Sequence, residues 1–250
     1  MTIAVAYKWA ANPQDASVTH EGVVDWSRAK LALSEYDPVA IQLGRAIADA
    51  TGSELVGLSV GTSAAGGSMA KKAAMSRGLD RGLVVADDAV AGWNLTKVAA
   101  ALAHLVGEAQ GVDLVLTGDA SIDENAKMTS ALVAGHLGWP CLQDATNVEK
   151  SDAGWTVTQE IPGGTRTVEV AGPVVVAVTT DAIAVKVPGM KDILAAGKKP
   201  VAEVAPDAGT LPADSLAVTG RSKPASRARK NLILPDAAAL AAALRNDGVL

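Results

Sequence analysis

The residues best equipped for chemistry lie in one stretch, 112–140, which reads VDLVLTGDASIDENAKMTSALVAGHLGWP. Asp119, Ser121, Asp123, Glu124, Asn125, Lys127 and Thr129 crowd its middle. Before them an apolar run ends in Thr117-Gly118. After them Met128, Leu132, Val133 and Leu137 repeat as on one face of a helix. A buried strand, a polar loop and a helix start, in that order, make the corner where open α/β sheets place ligands. The first helical turn has N–H groups without partners and the positive end of the helix dipole. The chemistry on offer is therefore capture of an anion such as a phosphate. A helix is expected over 127–137, with Lys127 and the Thr129 hydroxyl in its first turn. The competing reading is that Asp123 or Asn125 caps the helix and nothing binds.

Little else in the chain suggests chemistry. His20, His104 and His136 have no Ser or Asp at a telling spacing, so no nucleophilic triad is visible. His104 and His136 fall inside predicted helices and read as ordinary helix residues. No Cys/His group has metal-ligand spacing and no GxxxxGK[ST] loop occurs. The one Gly-rich loop, GTSAAGGS at 61–68, follows a strand and precedes a helix but is not GxGxxG. If the sheet is parallel, three strand ends converge, at 6–8, 59–61 and 117–119, with 34–37 at the rim. A crevice so lined, without an acid–base pair, reads as the seat of a structural or regulatory ligand. An enzyme acting alone is not expected.

The elements that must position this corner follow from patterning. Strands are expected at 2–7, 54–60, 82–86, 112–118 and 173–179, with helices at 39–51, 68–77 and 95–108 between them. Pro38 suits a first helical position and Gly52 a position just past the end. Strands alternating with helices mean parallel β-α-β units with right-handed crossovers. Residues 8–30 read as irregular. Segments 145–158 and 159–170 read as two strands of a β-hairpin excursion with Pro162-Gly163-Gly164 as a turn signal. Residues 181–200 read as a loop and short helix. Residues 201–229 are rich in Pro, Ser, Ala and charge, and read as an extended arm before a last helix at 235–245. Two segments are expected: an α/β body over 1–200 and a C-terminal arm and helix over 201–250 that docks on a partner.

Composition narrows the class. The chain has 250 residues, 49% of them apolar, a net charge of −5 and one cysteine, Cys141. The acidity argues against nucleic acid as main partner, and the lone cysteine fits a reducing compartment. No apolar run of membrane-spanning length and no signal peptide pattern appear, so a cytoplasmic protein is expected without direct membrane insertion.

With those residues in view, the sequence resembles the β subunit of electron transfer flavoproteins. TGDASIDENAKMTSALVAGHLGWP is similar to that family's AMP loop, G-x-Q-A-I-D-D-D-x-x-Q-T-G, with its helix and closing W-P. Gly118, Ile122, Asp123, Thr129, Trp139 and Pro140 fall in step. The opening Ala6-Tyr7-Lys8, SEYDPVAI at 34–41, LSVG at 58–61, IPGGTRTVEV at 161–170 and ILAAGKKP at 193–200 resemble further family motifs in the same order. The resemblance implies an adenine-nucleotide α-hydrolase-like, Rossmann-like α/β domain. It would pair with an α subunit that carries most of the FAD site, while this chain buries a structural AMP. Together they would carry electrons between a flavin-dependent dehydrogenase and an acceptor.

Matched residue by residue, the AMP would touch Ala6, Ser34, Glu35, Tyr36, Asp37, Val60 and the loop Gly118, Asp119, Ala120, Ser121, Ile122, Asp123, Glu124, Asn125, Ala126, Lys127, Met128 and Thr129. The segment with Lys186, Val187, Pro188, Gly189, Met190, Lys191, Ile193 and Leu194 corresponds to the loop that anchors partner dehydrogenases, Met190 standing where the family has an apolar anchor. The family's N-E-P-R-[YF] is Ile183-Ala184-Val185-Lys186-Val187 here. A bifurcating branch replaces AMP with a second FAD and has Gly after the loop's Asp. Here Glu124 follows Asp123 and would repel a longer diphosphate, so AMP is expected. A stand-alone, universal-stress-like nucleotide-binding regulator is the alternative, one that the long arm argues against.

Overall fold

The computed structural model describes residues 1–206, 209, 211–212, 219, 225 and 230–250. In chain order they form β1 (Thr2–Ala6), β2 (Trp9–Ala11), β3 (Ser17–Val18), β4 (Val24–Asp25), β5 (Leu31–Leu33), α1 (Asp37–Thr51), β6 (Glu54–Gly61), α2 (Ser68–Met75), β7 (Arg81–Ala86), α3 (Leu95–Ala109), β8 (Val112–Gly118), α4 (Thr129–Leu137), β9 (Cys141–Ser151), β10 (Gly154–Ile161), β11 (Gly164–Val170), β12 (Val174–Val178), α5 (Met190–Ala196), β13 (Val201–Glu203) and α6 (Ala237–Asn246).

One nine-stranded sheet runs β11-β10-β9-β12-β8-β1-β6-β7-β13. Every neighbour from β9 to β13 is parallel, while β9–β10 and β10–β11 are antiparallel. The central parallel strands β1, β6, β7, β8 and β12 carry mostly apolar, buried residues because both faces are covered. Ile3, Leu55, Leu114 and Val176 enter one cluster with Ile41 of α1 and Met75 of α2. Ala4, Val56, Val115 and Val175 enter a second, with Leu102 of α3 and Val133 of α4. The two-residue period of a strand thus feeds two cores. The chain leaves β1 for β6 and β7 on one side and returns to β8 on the other. The reversal between β1 and β8 opens a crevice at their carboxyl ends.

The expected α/β parallel architecture is the one found, and the expected cap at Gly52 holds. Pro38 lies in the first turn of α1 as its second residue, one place after the expected first position, and Gly52 ends the helix with φ of 65°. Three expectations need correction. The segment 141–170 is a three-strand meander, not one hairpin, because Asp152-Ala153 makes a second turn before Gly154. It is not an excursion either, since β9 pairs with β12 and extends the main sheet. Residues 8–30 contain short strands: β2 pairs with β5, and β3 with β4. Finally, 201–203 pair in parallel with β7 as the sheet's last strand, and the Val204 N–H donates to Val84 at 2.8 Å. Apolar Val201 beside Gly82 gave that edge away only in three dimensions. Much of the expected arm, 207–208, 210, 213–218, 220–224 and 226–229, lies outside the described residues.

The chain divides into units Met1–Ala217 and Val218–Leu250. In the second, the Asp236 carboxylate caps α6 by accepting from the Ala239 N–H at 2.8 Å, and Lys230 pairs with Asp247 at 2.7 Å. No residue of α6 is buried.

Gly44 lets α1 ride close on the sheet. A Cβ there would lie 2.9 Å from Leu55, 3.1 Å from Val5 and 3.2 Å from Leu116. Gly44→Ala gains about 1 kcal/mol of helix propensity, but overpacking costs about 1–3 kcal/mol. With three branched side chains to displace, the second effect wins. Urea denaturation should show a net loss of about 1 kcal/mol, and a stabilised variant would contradict this packing.

Candidate functional site

At the crevice between β1 and β8 lies a cleft of about 330 Å³. Its floor is the strand ends: Ala6 of β1 with Tyr7 and Lys8 after it, Val60 and Gly61 of β6, and Thr117 and Gly118 of β8 with Asp119 after it. The loop 119–127 and the first turn of α4 close one side, and Val90, Trp93, Leu95, Val98 and Leu102 form an apolar wall. The volume is at the lower end of small-molecule sites.

Asp37, the first residue of α1, ties this floor together. It is 5% exposed, accepts from the Lys8 N–H at 2.7 Å and also takes a hydrogen bond from the Gly118 N–H. Gly118 must lack a side chain, since a Cβ would stand 2.8 Å from Tyr36 Cβ and 2.9 Å from Asp37 Oδ1. Burial pushes the Asp37 carboxyl up to about 8, against the pull of those amides and the Lys8 charge. Burial, then the neighbouring Asp37 charge, pushes the Tyr7 phenol up to about 12.

Two ion pairs shape the loop. The Lys8 ammonium meets both carboxylate oxygens of Asp123 at 2.9 and 2.8 Å, and Glu124 at 3.7 Å. Burial would raise the Asp123 carboxyl, but the Lys8 hydrogen bond and charge outweigh it and hold the group below its ordinary range. Lys127 reaches back to Asp119 at 3.0 Å, a bond that raises the ammonium pKa. The other Asp119 oxygen is buried with no partner. Asn125 and Lys127 have φ of 50° and 53°. Non-glycine residues there cost on the order of 1–3 kcal/mol and persist where their surroundings hold them.

The helix expected over 127–137 begins at Thr129. Lys127 lies before it in a left-handed conformation that cannot continue a helix, so it is not in the first turn. Neither Asp123 nor Asn125 caps α4: Met128 occupies that position and makes no side-chain cap bond. Asp123 is engaged with Lys8 instead. The start of α4 thus has no side-chain cap, and Thr129 and Ser130 of its first turn line the cleft.

Of the residues singled out in the sequence, Ala6, Asp37, Val60, Gly118, Asp119, Ala120, Ser121, Asp123, Glu124, Ala126, Lys127 and Thr129 all line this cleft. Ser34 does not: it is fully buried and its hydroxyl accepts from the Ile122 N–H at 3.3 Å, holding the loop from behind. Glu35, Tyr36, Ile122 and Asn125 line a separate depression with Ser121 and Thr180. Met128 points outward, 48% exposed. Sequence reasoning missed the wall of Trp93, Leu95, Val98 and Leu102 and the rim residues Trp9 and Leu31. Trp93, just before the N-cap Asn94 of α3, was the signal available.

The segment 186–194 lies away from the cleft lining. Val187 is 90% exposed, Met190 73% and Leu194 68%. Below them Ala196 is buried in the core, and the Lys199 ammonium donates to the Met75 and Leu79 carbonyls at 3.1 and 2.6 Å. A bare apolar face therefore sits on an anchored helix. Among the described residues no helix is long and apolar enough to cross a membrane, and no group of acidic, His and Cys side chains could hold a metal.

Asp37 makes stability depend on pH. Its folded value, about 8, lies above the ordinary 3.8, so the fold keeps a proton that the unfolded chain releases. That contribution is full below about pH 4 and fades as pH rises toward 8. Asp37→Asn should flatten this decline between about pH 4 and 8, as read by urea midpoints along the series. An unchanged slope would place the linkage elsewhere.

Comparison with known families adds one finding. A model of the electron transfer flavoprotein domain matches residues 22–208, a span that holds the cleft loop, the 141–170 meander and the exposed 186–194 segment. With most of its length matched, and with the parallel α/β body described above, this chain belongs to the electron transfer flavoprotein domain family.

Proposed function

We propose that this chain is the β subunit of a heterodimeric electron transfer flavoprotein in the cytoplasm, with a structural AMP in its cleft. Members of the family are flavin-associated electron carriers. The FAD would be held mostly by an α subunit. The observation that carries the AMP reading is the cleft where β1 and β8 part, ending on the uncapped first turn of α4. A mononucleotide fits that donor set. Main-chain amides and the Thr129 hydroxyl suit a phosphate, and the unpartnered Asp119 oxygen suits a ribose hydroxyl or an exocyclic amine. The apolar wall around Trp93 suits a base. Glu124 on the lining supports AMP over a longer diphosphate, since it adds negative charge where a second phosphate would lie.

The exposed Val187, Met190 and Leu194 support the reading of 186–194 as a docking loop for a flavin-dependent dehydrogenase. The separate C-terminal unit supports an arm that docks on the α subunit.

Co-expression with an α subunit should give a yellow complex from which denaturation releases both FAD and AMP. A colourless complex under flavin-replete conditions, or one free of adenine mononucleotide, would overturn the respective part. Met190→Asp should slow reduction by the partner dehydrogenase about tenfold or more, as loss of a central apolar anchor does, with AMP retained. Unchanged reduction kinetics would remove Met190 from the interface.

A further inference from the structure

The antiparallel wing of the sheet is wired to the turn that opens α4. The Gln143 side-chain amide donates to the Lys127 carbonyl at 3.0 Å and to the Ser130 hydroxyl at 3.2 Å. These acceptors flank the uncapped start of α4, and both residues line the cleft. Gln143 is itself held. Its carbonyl accepts from the Gln159 side-chain amide at 2.5 Å, and the other Gln159 atom, Oε1, accepts from Arg166 Nε and Nη2 at 3.2 and 2.8 Å. Gln159 is 6% exposed, so its polar ends are committed to these partners.

The backbone is irregular at the same place. Between β9 and β12 the register slips after Leu142, and between β9 and β10 it slips next to Gln159. Asp144 has φ of 52°. Bulges of this kind re-aim a side chain beside a functional site. Here the irregularity frees Gln143 from the regular ladder and delivers its amide to a carbonyl on a left-handed residue, Lys127, which local sequence does not favour.

We propose that Gln143 is a positioning residue for the anion-binding turn, braced by Gln159 and Arg166, so that the outer strand β11 governs how tightly the cleft holds its ligand. This rests on the cleft being a nucleotide site. Gln143 acts through the 127–130 backbone, and Arg166 is outside the cleft lining.

The test uses the full chain and AMP as probe. Gln143→Met keeps the length and removes both donated bonds. The AMP dissociation constant, by calorimetry, should rise on the order of tenfold, the worth of about one hydrogen bond. Amide hydrogen exchange at 128–132 should quicken by a similar factor, while β1 and β8 keep their rates. Arg166→Met should shift both readouts in the same direction by less, and Arg166→Lys should restore part of the loss. Wild-type affinity and wild-type exchange in Gln143→Met would overturn the proposal, and a silent Arg166→Met would overturn the role of β11. If the parent chain binds no AMP but exchange at 128–132 still quickens in Gln143→Met, the positioning role stands and the nucleotide reading fails.

Discussion

One buried carboxyl group, that of Asp37, connects the parts of this molecule that matter most. It sits at the start of α1 and accepts from amides at the ends of β1 and β8. Those are the strands between which the chain reverses direction across the sheet. Without such a tie the reversal leaves strand ends with unsatisfied N–H groups around an open crevice. With it the crevice has a fixed floor, at the cost of desolvating an acid strongly enough to raise its pKa to about 8. Gly118 is the steric counterpart, because the approach of Tyr36 and Asp37 leaves no room for a Cβ.

The cleft's electrostatics are unusual for the anion site proposed for it. Its ammonium groups, on Lys8 and Lys127, are already bound to Asp123 and Asp119. An anion entering here would be met chiefly by main-chain N–H groups at the head of α4, whose partial charges have no local counter-ion. That division of labour explains why the loop can be acidic and still suit the proposed phosphate. It also explains why loop geometry counts for more than net charge: left-handed Asn125 and Lys127 have to be held in place, and the contacts from Ser34, Lys8 and Gln143 hold the loop from three directions.

How legible was this from the chain alone? The strands of the parallel sheet were, because burial on both faces writes them as unbroken apolar runs such as 114–116 and 174–178. The convergence of strand ends was legible too, since parallel order puts every carboxyl end on one side. The start of α4 was misjudged by two residues, because Lys127 and Met128 have good helix propensity and only tertiary contacts impose the left-handed turn. The 141–170 region was misread because an eleven-residue strand with a bulge has no clean two-residue alternation. The wall around Trp93 escaped because apolar residues at a helix start look like any core contribution until the sheet places them opposite the loop.

The sequence by itself determined the alternation of strand and helix, the glycines at Gly52 and Gly118, and the polar corner between β8 and α4, since periodicity and local sterics are properties of neighbouring residues. Tertiary structure decided which groups were spent and which were left over. Lys8 could only find Asp123, at 115 positions' remove, once β1 and the loop lay side by side. Asp37 acquired its raised pKa from burial, with the nearby Asp123 charge adding to it, and 201–203 became a strand only because β7 offered an edge. Desolvation and long-range pairing depend on what the whole chain brings together in space, and no local pattern carries that information.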